Sequence, residues 1–189
     1  MKLLTKNQLP KKITSINLIL VLLSIVLFSA CQKNEPQRYF TSSPEIDIAK
    51  ALLKDYHEGN WDSWITHYAD TAKIYHNSWD KGLSPKETMA NLKEILSKSS
   101  SYHFDEGDDT IFYEMIISDE GNTWVYFWGN WRGTLAANNK ELQIPVHLAY
   151  RFADGKIARE EGFYDLSGFT AALGEIEAAK IKGAESEEE

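Results

Sequence analysis

The sequence is short of cysteine, of positive charge and of long apolar runs. Its 189 residues hold one cysteine, Cys31, so no intrachain disulfide can form and no thiolate chemistry exists beyond that residue. Lysine and arginine number 20 against 28 aspartates and glutamates, for a formal net charge of -8. Such a surface repels nucleic acid, and no basic stripe offsets it. The most apolar stretch, Leu18 to Ala30, is too short for a comfortable membrane span. Several catalytic signatures are missing as well. There is no HExxH, no P-loop, no dinucleotide fingerprint and no serine in a nucleophile-elbow setting. His57, His67, His76 and the pair Glu160-Glu161 lack the spacing of a zinc site. The acidic run Asp105 to Asp109 lacks calcium-loop spacing and reads as a solvated bulge or loop. No metal and no cofactor is expected.

What is present begins at the N-terminus. Lys2, Lys6, Lys11 and Lys12 precede the apolar stretch with no acidic residue among them. The stretch closes Leu27-Phe28-Ser29-Ala30-Cys31. Basic flank, apolar core, small residues and cysteine fall in the order of an export signal. The ending resembles the bacterial lipobox, in which the cysteine receives diacylglycerol before cleavage, although Phe28 is bulkier than the usual residue there. A plain secretory signal with an incidental cysteine is the alternative. The expectation is a signal peptide over 1–30 and acyl chains, palmitate among them, on Cys31. Each buried methylene then contributes about 0.8 kcal/mol to membrane anchoring. Gln32-Lys33-Asn34-Glu35 resembles the export signal of surface lipoproteins of the Bacteroidetes. Residue 32 is not aspartate, so the inner-membrane retention signal of enterobacterial lipoproteins is absent. The expected location is the bacterial envelope, at the outer membrane. Removing the signal takes away four lysines and no acid, so the charge falls from -8 to -12.

The remainder divides into three. Residues 31–44 are polar and carry Pro36 and Pro44, which reads as a tether. Residues 45–174 are enough for one core. Residues 175–189 end in Glu185-Ser186-Glu187-Glu188-Glu189 and read as an acidic, disordered tail. Within the core, Ile46, Ala49, Leu52, Leu53 and Tyr56 share one helical face that Gly59 ends. A short helix with Trp61, Trp64, Ile65 and Tyr68 follows, then a strand over Ala72–His76. Ser84-Pro85-Lys86-Glu87 is a capping box opening a third helix that buries Met89, Leu92, Ile95 and Leu96. From Tyr102 the pattern turns to strands. These run Tyr102–Ser118, Thr123–Leu135, Glu141–Phe152 and Ile157–Leu166, with hairpin turns at Asp119–Asn122 and Ala153–Lys156. A brief helix over Ser167–Gly174 closes an α+β domain.

This element order resembles the nuclear transport factor 2-like superfamily, and within it the SnoaL-like branch. The residues that carry the resemblance are Gly59-Asn60-Trp61-Asp62, Tyr68-Ala69-Asp70, Arg151-Phe152-Ala153-Asp154-Gly155-Lys156-Ile157 and Tyr164-Asp165. The resemblance implies a cone-shaped fold, with three N-terminal helices packed on a curved antiparallel sheet and a pocket at the cone's mouth for a small apolar molecule. Such families include polyketide cyclases, ketosteroid isomerases and dehydratases, so fold alone does not set function. In SnoaL-like cyclases an aspartate near the end of a late strand is the acid/base, and Asp165 is the nearest match.

Strand alternation organises the other candidates. Arg159, Glu161, Phe163 and Asp165 share one face of the last strand, and Pro145, His147, Ala149 and Arg151 share one of the strand before. Which face is inward stays open, because one bulge reverses it. The catalytic candidates are Asp165 and His147, and the ligand-binding candidates are His76, Trp79, Trp128 and Phe163. A carboxylate in an apolar pocket can take a proton from carbon next to a carbonyl, with a histidine to orient it. Structural roles compete with each assignment. Asp165 stands two residues before Ser167 and is equally suited to capping the closing helix. His147 suits a hydrogen-bonded strand position. His76 suits a turn, and the aromatics Trp124, Tyr126, Phe127, Trp128 and Trp131 suit sheet packing. The preferred function is a lipid-anchored module that binds a small apolar ligand, because no complete acid/base constellation is visible; the alternatives are a cofactor-independent isomerase, cyclase or hydratase using Asp165, and a structural or protein-interaction subunit. A homodimer through an open apolar sheet face is compatible with each.

Overall fold

A computed structural model describes residues 36–107 and 111–187. The described residues from Arg38 onward belong to one compact unit. Cys31 and the expected signal peptide lie outside the described residues.

Helix α1 spans Pro44–Glu58. Ser43 caps it by accepting from the Ile46 amide at 3.2 Å, and Pro44 takes the first turn, where no amide hydrogen is needed. Gly59 ends it at φ 67°, a left-handed conformation that costs glycine little. Its inner face buries Ile46, Ala49 and Leu52. Asp55, on the same face, ties the helix to the next two turns of chain. It accepts from Ser63 Oγ at 2.6 Å and Asn60 Nδ2 at 3.1 Å, and it meets His67 Nε2 at 2.7 Å. These bonds fix α2 (Trp61–Trp64) and the 3-10 turn Ile65–His67 against α1. Helix α3 spans Pro85–Leu96 and opens on the expected capping box, with Ser84 and Glu87 bonded reciprocally.

Among the described residues, seven strands make one sheet. They are β1 (Tyr39–Phe40), β2 (Tyr68–His76), β3 (Ser99–Phe104), β4 (Phe112–Ile117), β5 (Thr123–Leu135), β6 (Glu141–Ala153) and β7 (Lys156–Tyr164). The order is β1-β4-β5-β6-β7-β2. β3 also pairs with β5, at the end that β4 leaves free. The architecture is the α+β arrangement of helices on a curved, mainly antiparallel sheet.

Four details differ from the sequence reading. The expected tether contains β1, which pairs with β4. β2 begins at Tyr68 and runs parallel to β7, so the sheet is not wholly antiparallel. Besides the three N-terminal helices, the described residues hold the closing helix α4, which spans Ser167–Glu187 rather than Ser167–Gly174. It continues past Gly174, where disorder was expected, and Ile176 packs against the core there. Asp105 is not merely solvated. It accepts from Asn130 Nδ2 at 2.5 Å and Arg132 Nε at 2.6 Å, and so pins the end of β3 to β5. Asp108 and Asp109 lie outside the described residues.

The core forms in two clusters. One packs α1 and Trp64 against Val125, Phe127 and Tyr150 of the sheet. The other gathers Leu96, Trp131, Leu135 and Ile144 beneath Phe169 and Ala172 of α4. Each buried large side chain contributes roughly 1.5–3 kcal/mol.

Candidate ligand-binding site

A cavity of about 110 Å³ lies where the two clusters face each other. Leu52, Trp64 and Leu148 of the first cluster line it, and so do Leu96, Trp131 and Phe169 of the second. Its wall is mostly hydrocarbon and aromatic ring. The polar exceptions concentrate on one side, around Glu160.

Backbone register brings that polar group together. On β7, Glu160, Gly162 and Tyr164 alternate with Arg159, Glu161 and Phe163, and the first set faces the cavity. Glu160 is 3% exposed. Parallel pairing with β2 sets Gly162 beside His76, and His76 Nε2 reaches Glu160 Oε1 at 2.8 Å. A Cβ on residue 162 would stand 2.5 Å from His76 Cδ2, so the imidazole occupies space that only glycine leaves. From the other end of β2, the Tyr68 hydroxyl donates to Glu160 Oε2. Both oxygens of the buried carboxylate are thus engaged, as burial of a charge requires.

On β6, Tyr150 stands directly opposite Glu160 in the antiparallel register. Its side chain is fully buried and lines the cavity. Its hydroxyl has no hydrogen-bond partner among the described residues. Burial, and then the charge of Glu160, push the hydroxyls of both Tyr68 and Tyr150 well above the ordinary tyrosine value. Each therefore stays protonated and keeps a proton to donate. Tyr56, across the cavity, accepts from Trp131 Nε1 at 3.0 Å.

The residues singled out from sequence divide between two faces of the sheet. His76 lines the cavity. Asp165 does not. It is exposed beyond the end of β7 and accepts from the Ser167 amide at 2.8 Å and Ser167 Oγ at 2.9 Å, a helix cap for α4. Those two bonds hold its carboxyl below the ordinary aspartate range. His147 lies on the outer face, stacked 3.8 Å from the Trp128 ring, with Nδ1 3.0 Å from the Phe127 carbonyl. Phe163 stacks on its other side at 6.2 Å, and Trp79 meets Phe163 edge-on at 6.4 Å. Trp79, Trp128 and Phe163 thus stand together outside, with Trp79 74% exposed. They neither lid nor line the cavity.

The sequence reading missed Glu160, Tyr68 and Tyr150. A signal for them existed. On β6, Ile144, Val146, Leu148, Tyr150 and Phe152 are uniformly apolar or aromatic, whereas the odd positions include the polar Glu141, Gln143, His147 and Arg151 beside Pro145 and Ala149. That contrast marks the even positions as inward. The hairpin at Ala153–Lys156 then lays Glu160 against Tyr150.

The geometry has counterparts among known proteins. The profile of the SnoaL-like domain matches residues 49–160. No curated protein sequence matches the chain. Among solved structures, PrhC from Penicillium brasilianum is similar with a TM-score of 0.58 at 14% identity, covering 75% of this chain and 93% of that one. A Xanthomonas campestris protein provisionally described as a polyketide cyclase gives a TM-score of 0.54 at 16% identity, with 68% and 95% covered. An NTF2-like protein of unknown function from Burkholderia pseudomallei gives 0.53 at 14% identity, with 68% and 95% covered. These likenesses speak for the fold alone. The profile match spans more than half of the chain and ends on the buried glutamate of the cavity, and the chain belongs to the SnoaL-like domain family.

Proposed function

We propose that the domain binds a small, largely apolar molecule in its cavity and that Glu160, held by His76 and Tyr68, is the acid/base for cofactor-independent proton transfer of the isomerase or cyclase kind. The observation that carries this reading is a buried carboxylate, bonded to an imidazole and a phenol, in an otherwise apolar chamber. In the proposed step the carboxylate takes a proton from carbon next to a carbonyl. The C–H bond breaks, its electron pair forms a C=C bond as the carbonyl π pair moves onto oxygen, and reprotonation of the enolate at the same carbon, or of an extended dienolate at a carbon conjugated with it, restores the C=O bond. General acid/base catalysis of this kind contributes about 10²–10⁴-fold. Asp165, the carboxylate first favoured from sequence, is exposed and bonded to Ser167, so Glu160 is the better-supported base.

The test is exchange of ketone α-protons in deuterated buffer, followed by NMR across small apolar carbonyl compounds and steroids. Wild type is expected to accelerate exchange for at least one compound, and Glu160→Gln to lower that rate at least about 100-fold while still binding. Absence of both binding and exchange in wild type across the panel sinks the reading in favour of a protein-interaction role.

The lipid anchor belongs to the same proposal. Its support is the basic, apolar and small-residue order that ends at Cys31. Mass spectrometry of the protein from envelope fractions checks it: acyl mass on Cys31 is expected, and a free Cys31 or cleavage elsewhere refutes it. A homodimer is proposed on the outer aromatic face, where Phe112, Trp128 and Phe163 are exposed beside Trp79. Trp128→Ser is expected to shift a sedimenting dimer to monomer, and a monomeric wild type removes the idea.

A further inference from the structure

We infer that Asn77 is a positioning residue for His76: its side-chain amide stands in for the next peptide group of β2 and so holds the imidazole on Glu160. This rests on the proposed role of Glu160 and adds the device that keeps its partner in place.

His76 is the last residue of β2, and β2 is an edge of the sheet. The end of an edge strand is paired on one side only and is where fraying starts. A frayed His76 would leave Glu160 Oε1, which its Nε2 meets at 2.8 Å. The His76 side chain is 21% exposed, so burial alone does not fix it.

Asn77 closes that end. Its amide donates to the Gly162 carbonyl at 2.8 Å, which carries the parallel ladder one step past the strand. The backbone then turns away at φ 49°, a left-handed conformation that asparagine tolerates better than most residues. Past this turn the side chain continues the ladder. Asn77 Nδ2 donates to the Tyr164 carbonyl at 2.8 Å, and Asn77 Oδ1 accepts from the Tyr164 amide at 3.1 Å. A carboxamide offers the same donor and acceptor as a peptide group. Aspartate lacks the donor, glutamine is one methylene longer, and glycine keeps the turn but brings no amide.

The clasp sets two rings at once. It grips the backbone of Tyr164, whose ring lines the cavity and meets the His76 ring edge-on at 5.5 Å and 71°. On the other side of His76, Ile74 and Leu83 exchange two backbone bonds of 2.9 Å, so the chain is held before and after the imidazole. Asn77 itself is exposed and outside the cavity wall. Water can replace its lost bonds there, so its removal bears on the placement of His76 more than on stability.

The experiment uses the full-length chain in detergent micelles with ¹⁵N-labelled histidine, as wild type, Asn77→Gly and Asn77→Asp. Glycine keeps the left-handed turn and removes both side-chain bonds, and aspartate keeps only the acceptor. The His76 signals are identified by their loss in His76→Gln. Wild type is expected to hold a hydrogen on Nε2, the nitrogen that faces Glu160. In Asn77→Gly the ring signals are expected to move toward those of free histidine, and the Tyr164 amide to lose protection from hydrogen exchange. Asn77→Asp is expected to move the same way, but less. Ketone exchange is expected to fall at least about tenfold in Asn77→Gly, in kcat rather than KM, because a misplacement of about 1 Å can cost about 10²-fold. The same substitution is expected to add no loss to Glu160→Gln. Unchanged His76 signals in folded Asn77→Gly overturn the inference, even where the melting temperature falls, because Asn77 is then a strand clasp alone. Where Asn77→Gly does not fold, Asn77→Asp decides by the same signals. Wild type that exchanges no ketone overturns the acid/base reading beneath, and the His76 signals still decide the inference. Displaced His76 signals with exchange unaffected support the positioning by Asn77 and overturn the part of His76 in the chemistry.

Discussion

His76 and Glu160 meet at 2.8 Å across the parallel pair β2–β7, and the contact exists because residue 162 has no side chain. A Cβ there would stand 2.5 Å from His76 Cδ2, 3.1 Å from its Nε2 and 3.1 Å from Leu148 Cδ2. Strand pairing fixes the backbone, so the imidazole must yield.

Gly162→Ala is therefore expected to break the His76–Glu160 contact and to cost about 1–3 kcal/mol, the usual penalty for overfilling a packed site. Urea unfolding measures the cost, and imidazole ¹⁵N shifts of His76 report the contact. Unchanged His76 shifts in a folded variant contradict the argument.

Asp55 gives a prediction in pH. Burial pushes its carboxyl upward, but the hydrogen bonds from Ser63 and His67 outweigh this and hold it below its ordinary value of 3.8. A depressed folded value means stability that is fully present above 3.8 and is lost as pH falls through the lower folded value. Asp55→Asn is expected to be less stable than wild type at pH 7 and to show a smaller loss on acidification below 4. Parallel acid-denaturation slopes for the two proteins would count against it.

Asp165→Ala removes the cap of α4. It is expected to lower the melting temperature and loosen amide protection in the first turn of α4, from Ser167, without changing ligand affinity or ketone exchange. A large loss of exchange with the fold intact would return the catalytic role to Asp165.

Leu52→Ala enlarges the cavity from the α1 side. Leu52 is 1% exposed and lines the chamber, so the substitution is expected to cost about 2–5 kcal/mol. It is also expected to raise the affinity for larger apolar ligands relative to smaller ones. Calorimetry and ligand-observed NMR check the two parts separately.

Much of this fold was legible because its signals are local. The capping box at Ser84–Glu87, the stop at Gly59 and the turns at Asp119–Asn122 and Ala153–Lys156 each depend on residues within one turn of chain. The parallel β2 was not legible, since a parallel partner leaves no turn signature and lies far along the chain. The end of α4 was obscured by its acidic composition. The site failed on one binary choice. Asp165, His147 and Phe163 all belong to the odd-numbered face, and the register puts the even-numbered face inside. One position separates Glu160 from Glu161, yet one is bonded in the cavity and the other pairs with Arg159 at 2.6 Å. Composition cannot make that distinction, but the apolar even positions of β6 can.

The clamp on Glu160 also orders events in folding. β5, β6 and β7 follow one another through short connections, so their pairing closes small loops. The bonds to Glu160 join residues 84 and 92 positions apart. Contacts of such separation repay their loop-closure entropy late. The β5–β7 meander is therefore expected to pair before β2 docks along β7. On that order the cluster around Glu160 is completed late, and a partly folded chain would carry the sheet without the buried carboxylate's partners.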